Sequence, residues 1–421
     1  MPRLIGSRLA DLLRAGPRDD LLRARAGADR LDGGAGDDRL FGGTGSDSLL
    51  GGAGRDRLTG GAGNDALFGG RGAGDVLDGG AGDDRLSADG RGAAFLPGEG
   101  VDVMVSLHGD ASVSYAGMAA GVRVDLAAGR AEGALTRDVL VGVVAVTGSG
   151  FDDRLIGGAS RAWEGFTGGA GDDAIFGGSG FDVLRFLAET GRRGVEVDLA
   201  AGWARDSHGD RDRLGGIEAV AGTSRADVLR GGVGAFELWQ GLAGRDRIEG
   251  GGGIDRADYS LDAAQGGRAG IRADLAAGRA RDGFGDLDRL SDVEELRGTV
   301  RADVLQGDET GNRLMGGPGA DVLRGRAGQD RIEGGPGRDR LSGGAGPDVF
   351  VHAAGDGRDR LLDFDPDEDR LRLLGQDVDG AHELDLRDGR SGAVLRLDAG
   401  DRLRFDGVAA EDLGAQTLWL A

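Results

Sequence analysis

The stretch Gly33–Gly61, GGAGDDRLFGGTGSDSLLGGAGRDRLTGG, writes nearly the same nine residues three times, with an Asp and a Leu fixed in each. Aligned as G-G-x-G-x-D-x-U-x, with U a large apolar residue, it places Asp at 29, 38, 47, 56 and 65. After one extra residue in GGRGAGDVL, the series continues at Asp75 and Asp84. The apolar partners are Leu31, Leu40, Leu49, Leu58, Leu67, Leu77 and Leu86. The same phase runs backward through Asp20 and Leu22, Asp11 and Leu13, to Leu4, although the glycines have decayed there. Residues 1–26 therefore read as degenerate capping coils, with a short amphipathic helix around Leu9, Leu12 and Leu13 as the alternative.

A second long array lies toward the other end. Asp303, Asn312, Asp321, Asp330, Asp339 and Asp348 stand nine apart, each followed two residues later by an apolar residue, from Leu305 to Phe350. Short patches carry the motif at Asp153, Asp173 and Asp182, and at Asp227, Asp246 and Asp255. A longer period overlies this one: VDLAAG at Val124–Gly129 recurs at Val197–Gly202, and as ADLAAG at Ala273–Gly278. The chain divides accordingly into capping coils (1–26), a first array (27–88) and a linker with the first insert module (89–182). A second module (183–255), a third insert (256–302), a second array (303–350) and a C-terminal cap (351–421) complete it.

Each x-U-x triplet suits a short strand with one side chain turned inward. The Gly-rich residues before it suit a tight turn, because glycine accepts positive φ and lets backbone approach backbone. Two repeats make one flattened coil of eighteen residues, so stacking puts Leu31, Leu49 and Leu67 in one column and Leu40 and Leu58 in the facing one. Asp38 then lies over Asp56, and Asp47 over Asp65. Ordering nine Gly-rich residues costs more backbone entropy than one buried Leu returns, and the stacked Asp repel one another. A hard cation held by carboxylates and backbone carbonyls resolves both problems, and six or so oxygens suit Ca²⁺. A turn Asp bonding its own backbone is the plain alternative for any one repeat. About twenty such residues in phase make it a poor explanation of the arrays, although it stays open for patches such as Asp153 and Asp227.

The composition agrees. The 421 residues include 88 Gly but only 5% aromatics, and carry a net charge of −22 with no Lys. Such an acidic chain favours cations and disfavours nucleic acid and anionic membranes. Cys is absent, which excludes disulfides, thiolate metal sites and Cys nucleophiles. The N-terminus lacks the apolar stretch of a Sec signal, and no run is long enough to span a membrane.

These repeats resemble the RTX family, the haemolysin-type calcium-binding repeats of secreted bacterial proteins. The resemblance implies an all-β fold, a parallel β-roll or right-handed β-solenoid with β-rich inserts and a C-terminal β cap. It also implies Ca²⁺ held by repeat Asp and by carbonyls of the turn glycines. A clear site would use Gly33, Gly34, Gly36 and Asp38 with Gly51, Gly52, Gly54 and Asp56. The same register offers Asp29, Gly42, Gly43, Gly45, Asp47, Gly60, Gly61, Gly63, Asp65, Asp75, Gly79, Gly80, Gly82 and Asp84. The second array offers Asp303, Asn312, Gly316, Gly317, Gly319, Asp321, Asp330, Gly334, Gly335, Gly337, Asp339, Gly343, Gly344, Gly346 and Asp348. Asp173, Asp182, Asp246 and Asp255 complete the set, for on the order of ten ions.

The tail from Gly343 to Leu373 resembles the segment that closes such arrays in type I secretion substrates. This implies an uncleaved C-terminal export signal ending in TLWLA, with the type I secretion machinery as a partner during export. Phe364 and Leu371 also suit a simple cap on the roll end. With little calcium inside the cell, the chain would stay unfolded and threadable, and would fold on reaching calcium outside. The expected location is extracellular, with polysaccharide at the cell surface or beyond it as a further partner. No HExxH or GxSxG motif is present, and His108, His208, His352 and His382 are scattered and read as surface residues. The function expected is calcium binding by a non-catalytic spacer, surface or matrix protein. The alternatives are an extracellular, polysaccharide-acting enzyme with a site in the inserts, and a toxin-related fragment.

Overall fold

The computed structural model describes residues 3–158, 163–187, 189–375, 385–397, 400–414 and 417–420. Among them the regular elements are β-strands, apart from one 3-10 turn at Ala410–Asp412. No helix among the described residues is long and apolar enough to cross a membrane. The chain forms two compact units, Met1–Arg185 with Gly202–Ile217, and Phe186–Ala201 with Glu218–Ala421.

In the first unit, parallel strands stack into two walls. One wall runs through Leu21–Ala26, Arg39–Thr44, Arg57–Ala62, Val76–Ala81 and Ala94–Glu99. The other runs through Leu12–Arg14, Arg30–Ala35, Ser48–Ala53, Ala66–Gly70, Arg85–Ala88 and Val103–Ser106. Their registers build the expected columns, Leu22–Leu40–Leu58–Leu77–Phe95 and Leu31–Leu49–Leu67–Leu86–Met104, all at 2% exposure or less. The solenoid class read from the repeats is the fold. Leu12–Arg14 is a strand paired with Arg30–Asp32, not part of a helix. Residues 94–106, inside the stretch 89–182 read as a linker with the first insert module, continue both columns with Phe95 and Met104.

Several strands are longer than the three residues that the motif suggests. Arg30–Ala35 has six because Gly34 and Ala35 also pair, with Gly52 and Ala53. Where the turn reads GGPG the strand stays at three, as in Arg313–Met315 and Arg331–Glu333. Proline has no N–H to add to the ladder. The second unit repeats the columns as Leu305–Leu323–Leu341–Leu361 and Leu296–Leu314–Ile332–Phe350–Leu371. At its C-terminal end Phe364 packs against Phe350 and Phe405, with ring centroids 5.6 and 5.1 Å apart.

The DLAAG segments are antiparallel insertions in a parallel wall. Val122–Asp125 turns into Arg130–Gly133, which pairs antiparallel with it and with Arg137–Val141. The outer two strands of this trio rejoin the parallel ladder, at Arg154–Ile156 and Val103–Ser106. In the second unit Arg272–Asp274, Arg279–Arg281 and Leu287–Ser291 do the same. The motif codes the turn: Asp125 Oδ1 accepts the Ala128 N–H at 2.9 Å, and Gly129 takes φ +63°. Asp274, Ala277 and Gly278 repeat this arrangement.

Candidate metal centre

Stacking in register turns the repeat Asp into ladders. Asp38 Oδ1 accepts the backbone N–H of Asp20 at 2.7 Å, and Asp56 Oδ1 accepts that of Asp38 at 2.8 Å. The other wall runs Asp11, Asp29, Asp47, Asp65, Asp84 and Asp102 in the same way. In the second unit the ladders run Asp303, Asp321 and Asp339, and Asn312, Asp330 and Asp348. One carboxylate oxygen of each Asp is thereby spent on the fold.

The second oxygen is not. Oδ2 of Asp29, Asp38, Asp47, Asp56, Asp65, Asp75, Asp84 and Asp102 is buried without a hydrogen-bond partner. The same holds for Asp173, Asp246, Asp321, Asp330, Asp339 and Asp348. Apart from those of Asp29 and Asp102, where Ala24 and Pro97 stand in place of the glycine, each such oxygen faces a turn glycine. A Cβ placed on Gly33 would lie 2.5 Å from Asp38 Oδ2 and 2.7 Å from the carbonyl oxygen of Gly51 on the next coil. The same point at Gly316 lies 2.5 Å from Asp321 Oδ2 and 2.6 Å from the Gly334 carbonyl. Glycine is required there because oxygens of two coils converge on the space a methyl group would fill.

A buried carboxylate beside carbonyl oxygens is a cluster of negative ends with no internal donor. Burial, the largest cause in each case, pushes Asp38, Asp56 and Asp65 up to about 6. Asp84, Asp321 and Asp348 reach about 7, and Asp102, Asp173 and Asp339 about 8. Neighbouring ladder carboxylates add to the rise in each of these groups. Only a proton or a hard cation balances such a set, and an all-oxygen donor set fits Ca²⁺. Bound there, the ion would supply the positive charge that the carboxylates and carbonyls lack.

Other ladder positions are complete without an ion. Asp153 accepts the Ser149 N–H and hydroxyl, at 2.5 and 2.9 Å. Asp227 accepts the same pair of donors from Thr223 at 2.7 and 2.9 Å, and Asp303 accepts them from Thr299, the N–H at 2.7 Å. Asn312 Oδ1 accepts the Asp308 N–H at 2.7 Å. Asp303 and Asn312, expected as ligands, share this arrangement. Their side-chain oxygens already hold protein donors, which is the turn-forming role left open for Asp153 and Asp227.

The ladder also uses residues that the nine-residue frame missed. Asp138, Asp212, Asp288, Asp359 and Asp369 each accept the backbone N–H of the ladder residue one coil earlier. Glu294 does the same for Asp255, and Glu237 stands beside Asp255 in register. Burial first, then Glu237 and Glu294, push Asp255 up to about 7. Asp182 lies beside Glu164 in register. The signal present in the sequence was the D-x-U or E-x-U triplet without its glycines.

At three of these positions a side chain caps the otherwise unmatched oxygen. Tyr115 donates its hydroxyl to Asp138 Oδ2 at 2.9 Å, and Tyr259 to Asp288 Oδ2 at 3.2 Å. His352 Nδ1 lies 3.0 Å from Asp359 Oδ2. His352, expected at the surface, is 2% exposed; His382 lies outside the described residues.

The RTX calcium-binding nonapeptide repeat model matches residues 5–40, 41–74, 74–90, 166–184, 240–257, 297–332 and 315–350. The chain belongs to the family of proteins built on these repeats. No curated protein matches it. Among solved structures it is similar to the AlgE6R3 subunit of the mannuronan C5-epimerase from Azotobacter vinelandii. The two are 34% identical over 28% of this chain and 77% of that one, with a TM-score of 0.25. It is also similar to the extracellular lipase LipA from Serratia marcescens, at 17% identity and a TM-score of 0.25. That match covers 64% of this chain and 40% of the lipase.

Proposed function

We propose that this chain is a secreted, non-catalytic spacer or matrix protein whose arrays fold around Ca²⁺ on leaving the cell. The observation that carries the reading is the row of buried, unmatched Oδ2 atoms from Asp38 to Asp84 and from Asp321 to Asp348, each set against a turn glycine. Asp38 and Asp56 with Gly33, Gly34, Gly36, Gly51, Gly52 and Gly54 are the proposed ligands of a first site, and the other repeats follow in phase. At about 1 mM external calcium and a Kd on the order of 10⁻⁴ M, each site adds about 1.4 kcal/mol. Several coupled sites would hold the arrays folded outside and leave them open to threading inside. Export through a type I machinery, guided by the C-terminal segment, belongs to the same proposal. Equilibrium dialysis with labelled calcium tests it. Several ions per chain are expected, fewer after paired Asp→Asn changes in the first array; one ion or none would overturn it. Turnover of a polysaccharide by the folded chain would overturn the non-catalytic part.

A further inference from the structure

On the outer face of the third insert, arginines are set opposite arginines. Arg247 pairs in register with Arg289, Arg289 with Arg279 across the next strand, and Arg281 with Arg272 across the one after. All five are exposed. Like charges directly opposite on adjacent strands destabilise a sheet, and here three such contacts follow one another in a protein of net charge −22. The nearby acids relieve them only in part. Asp274 is held by Arg326 through two hydrogen bonds, of 2.8 and 2.9 Å. Glu249 is shared between Arg230 and Arg247. Arg272, Arg279 and Arg289 make no hydrogen bond or ion pair among the described residues, and Arg281 reaches only the Gly285 carbonyl, at 2.6 Å.

The fold does not require this. In the first insert the equivalent strands place Arg137 opposite Glu132, and Glu132 opposite Arg123. The position opposite Val103 is taken by Val139. The same antiparallel insertion is built there with alternating or neutral pairs; the second insert sets one arginine pair opposite, Arg205 and Arg211, and the third insert sets three in succession.

We infer that this face binds an extended carboxylated polysaccharide. A groove of about 430 Å³ lined by Arg247, Arg279, Leu287 and Arg289 adjoins one of about 380 Å³ lined by Arg272, Arg279, Arg281 and Leu287. Sharing Arg279 and Leu287, they form one track across five strands, which suits a linear ligand. Guanidinium groups bind carboxylates through paired, directed hydrogen bonds. Leu287, 44% exposed in the middle of the track, gives a sugar ring an apolar floor. The track residues include no aromatic side chain on which a nucleobase could stack.

The test uses the full chain in calcium, with its fold checked by circular dichroism, so that a failure of calcium-dependent folding is seen separately from a failure of binding. Fluorescence anisotropy would follow a labelled hyaluronan oligosaccharide, a uronate polymer that does not gel with calcium. Binding that weakens with salt is expected, and Arg279→Gln/Arg289→Gln should weaken it about tenfold or more without changing the dichroism. Arg130→Gln/Arg137→Gln in the first insert should leave it unchanged. No binding by a folded chain, or binding that ignores the Arg279/Arg289 change, would overturn the inference. So would tighter binding of polyglutamate, of single-stranded DNA or of anionic vesicles.

Discussion

The first array and the insert junctions are built on the same ladder and finish it differently. At Asp38 or Asp56 one carboxylate oxygen closes the ladder, and the other is buried with no donor in reach. At Asp138 and Asp288 the first oxygen does the same work, while the second meets a buried tyrosine hydroxyl. The difference is one hydrogen-bond donor per site. It divides the molecule into stretches that need something from solution and stretches that carry their own complement. An unmatched buried acceptor costs about 1–3 kcal/mol, more when charged, so an array that repeats it coil after coil cannot hold alone. A junction with its donor built in can.

The largest effect that would sharpen this contrast comes from the array itself. Asp38→Asn/Asp56→Asn keeps the ladder acceptors but removes two charges. The calcium concentration at the folding midpoint should rise roughly tenfold, followed by far-UV dichroism; an unmoved midpoint would break the comparison at its calcium side. Next comes pH. In the calcium-free chain burial raises Asp38 and Asp56 to about 6, Asp84 to about 7 and Asp102 to about 8, above the unfolded value of about 3.9. Folding then takes up protons, so stability is full below the ordinary carboxylate range and is lost as pH rises through about 6 to 8. Without calcium, β content should be higher near pH 4.5 than near pH 8, and the reverse order would contradict the burial argument.

On the junction side, Tyr259→Phe removes the donor that completes Asp288. Thermal unfolding in saturating calcium should show a loss of about 1–3 kcal/mol, and an unchanged Tm would mean that the hydroxyl is not the complement. The smallest effect is expected at Thr299→Val, which takes one hydroxyl from Asp303 while leaving the Thr299 N–H in place. It should cost about 1 kcal/mol without moving the calcium midpoint. A shifted midpoint would show that Asp303 serves calcium as well as the turn.

Much of this was legible in the sequence. The nine-residue phase set the columns of Leu31–Leu49–Leu67 and Leu40–Leu58, and the Asp that lie over one another. The extra residue in GGRGAGDVL shows as a register step of 19 between Leu58 and Leu77. What stayed hidden has physical reasons. At Asp102, Asp138, Asp288 and Asp359 the D-x-U triplet survives without a full Gly-rich half, because what precedes it is a different turn or an antiparallel strand. The capping donors Tyr115 and Tyr259 precede their Asp by 23 and 29 residues, a separation that no local period reports. The Ser149, Thr223 and Thr299 caps were readable, since each stands four residues before its Asp where the second glycine of the pair belongs. That replacement separates a turn-forming Asp from one left with an unmatched oxygen.

The most direct test of the central claim is amide hydrogen exchange read by mass spectrometry, in calcium and in magnesium with calcium chelated. Calcium should protect 27–102 and 321–348 strongly, and chelation should strip that protection first from those stretches. The strands around Tyr115–Asp138 and Tyr259–Asp288 should lose theirs last. Arrays protected equally well under chelation would show that their buried carboxylates need no cation, and the division between the two kinds of ladder would fall.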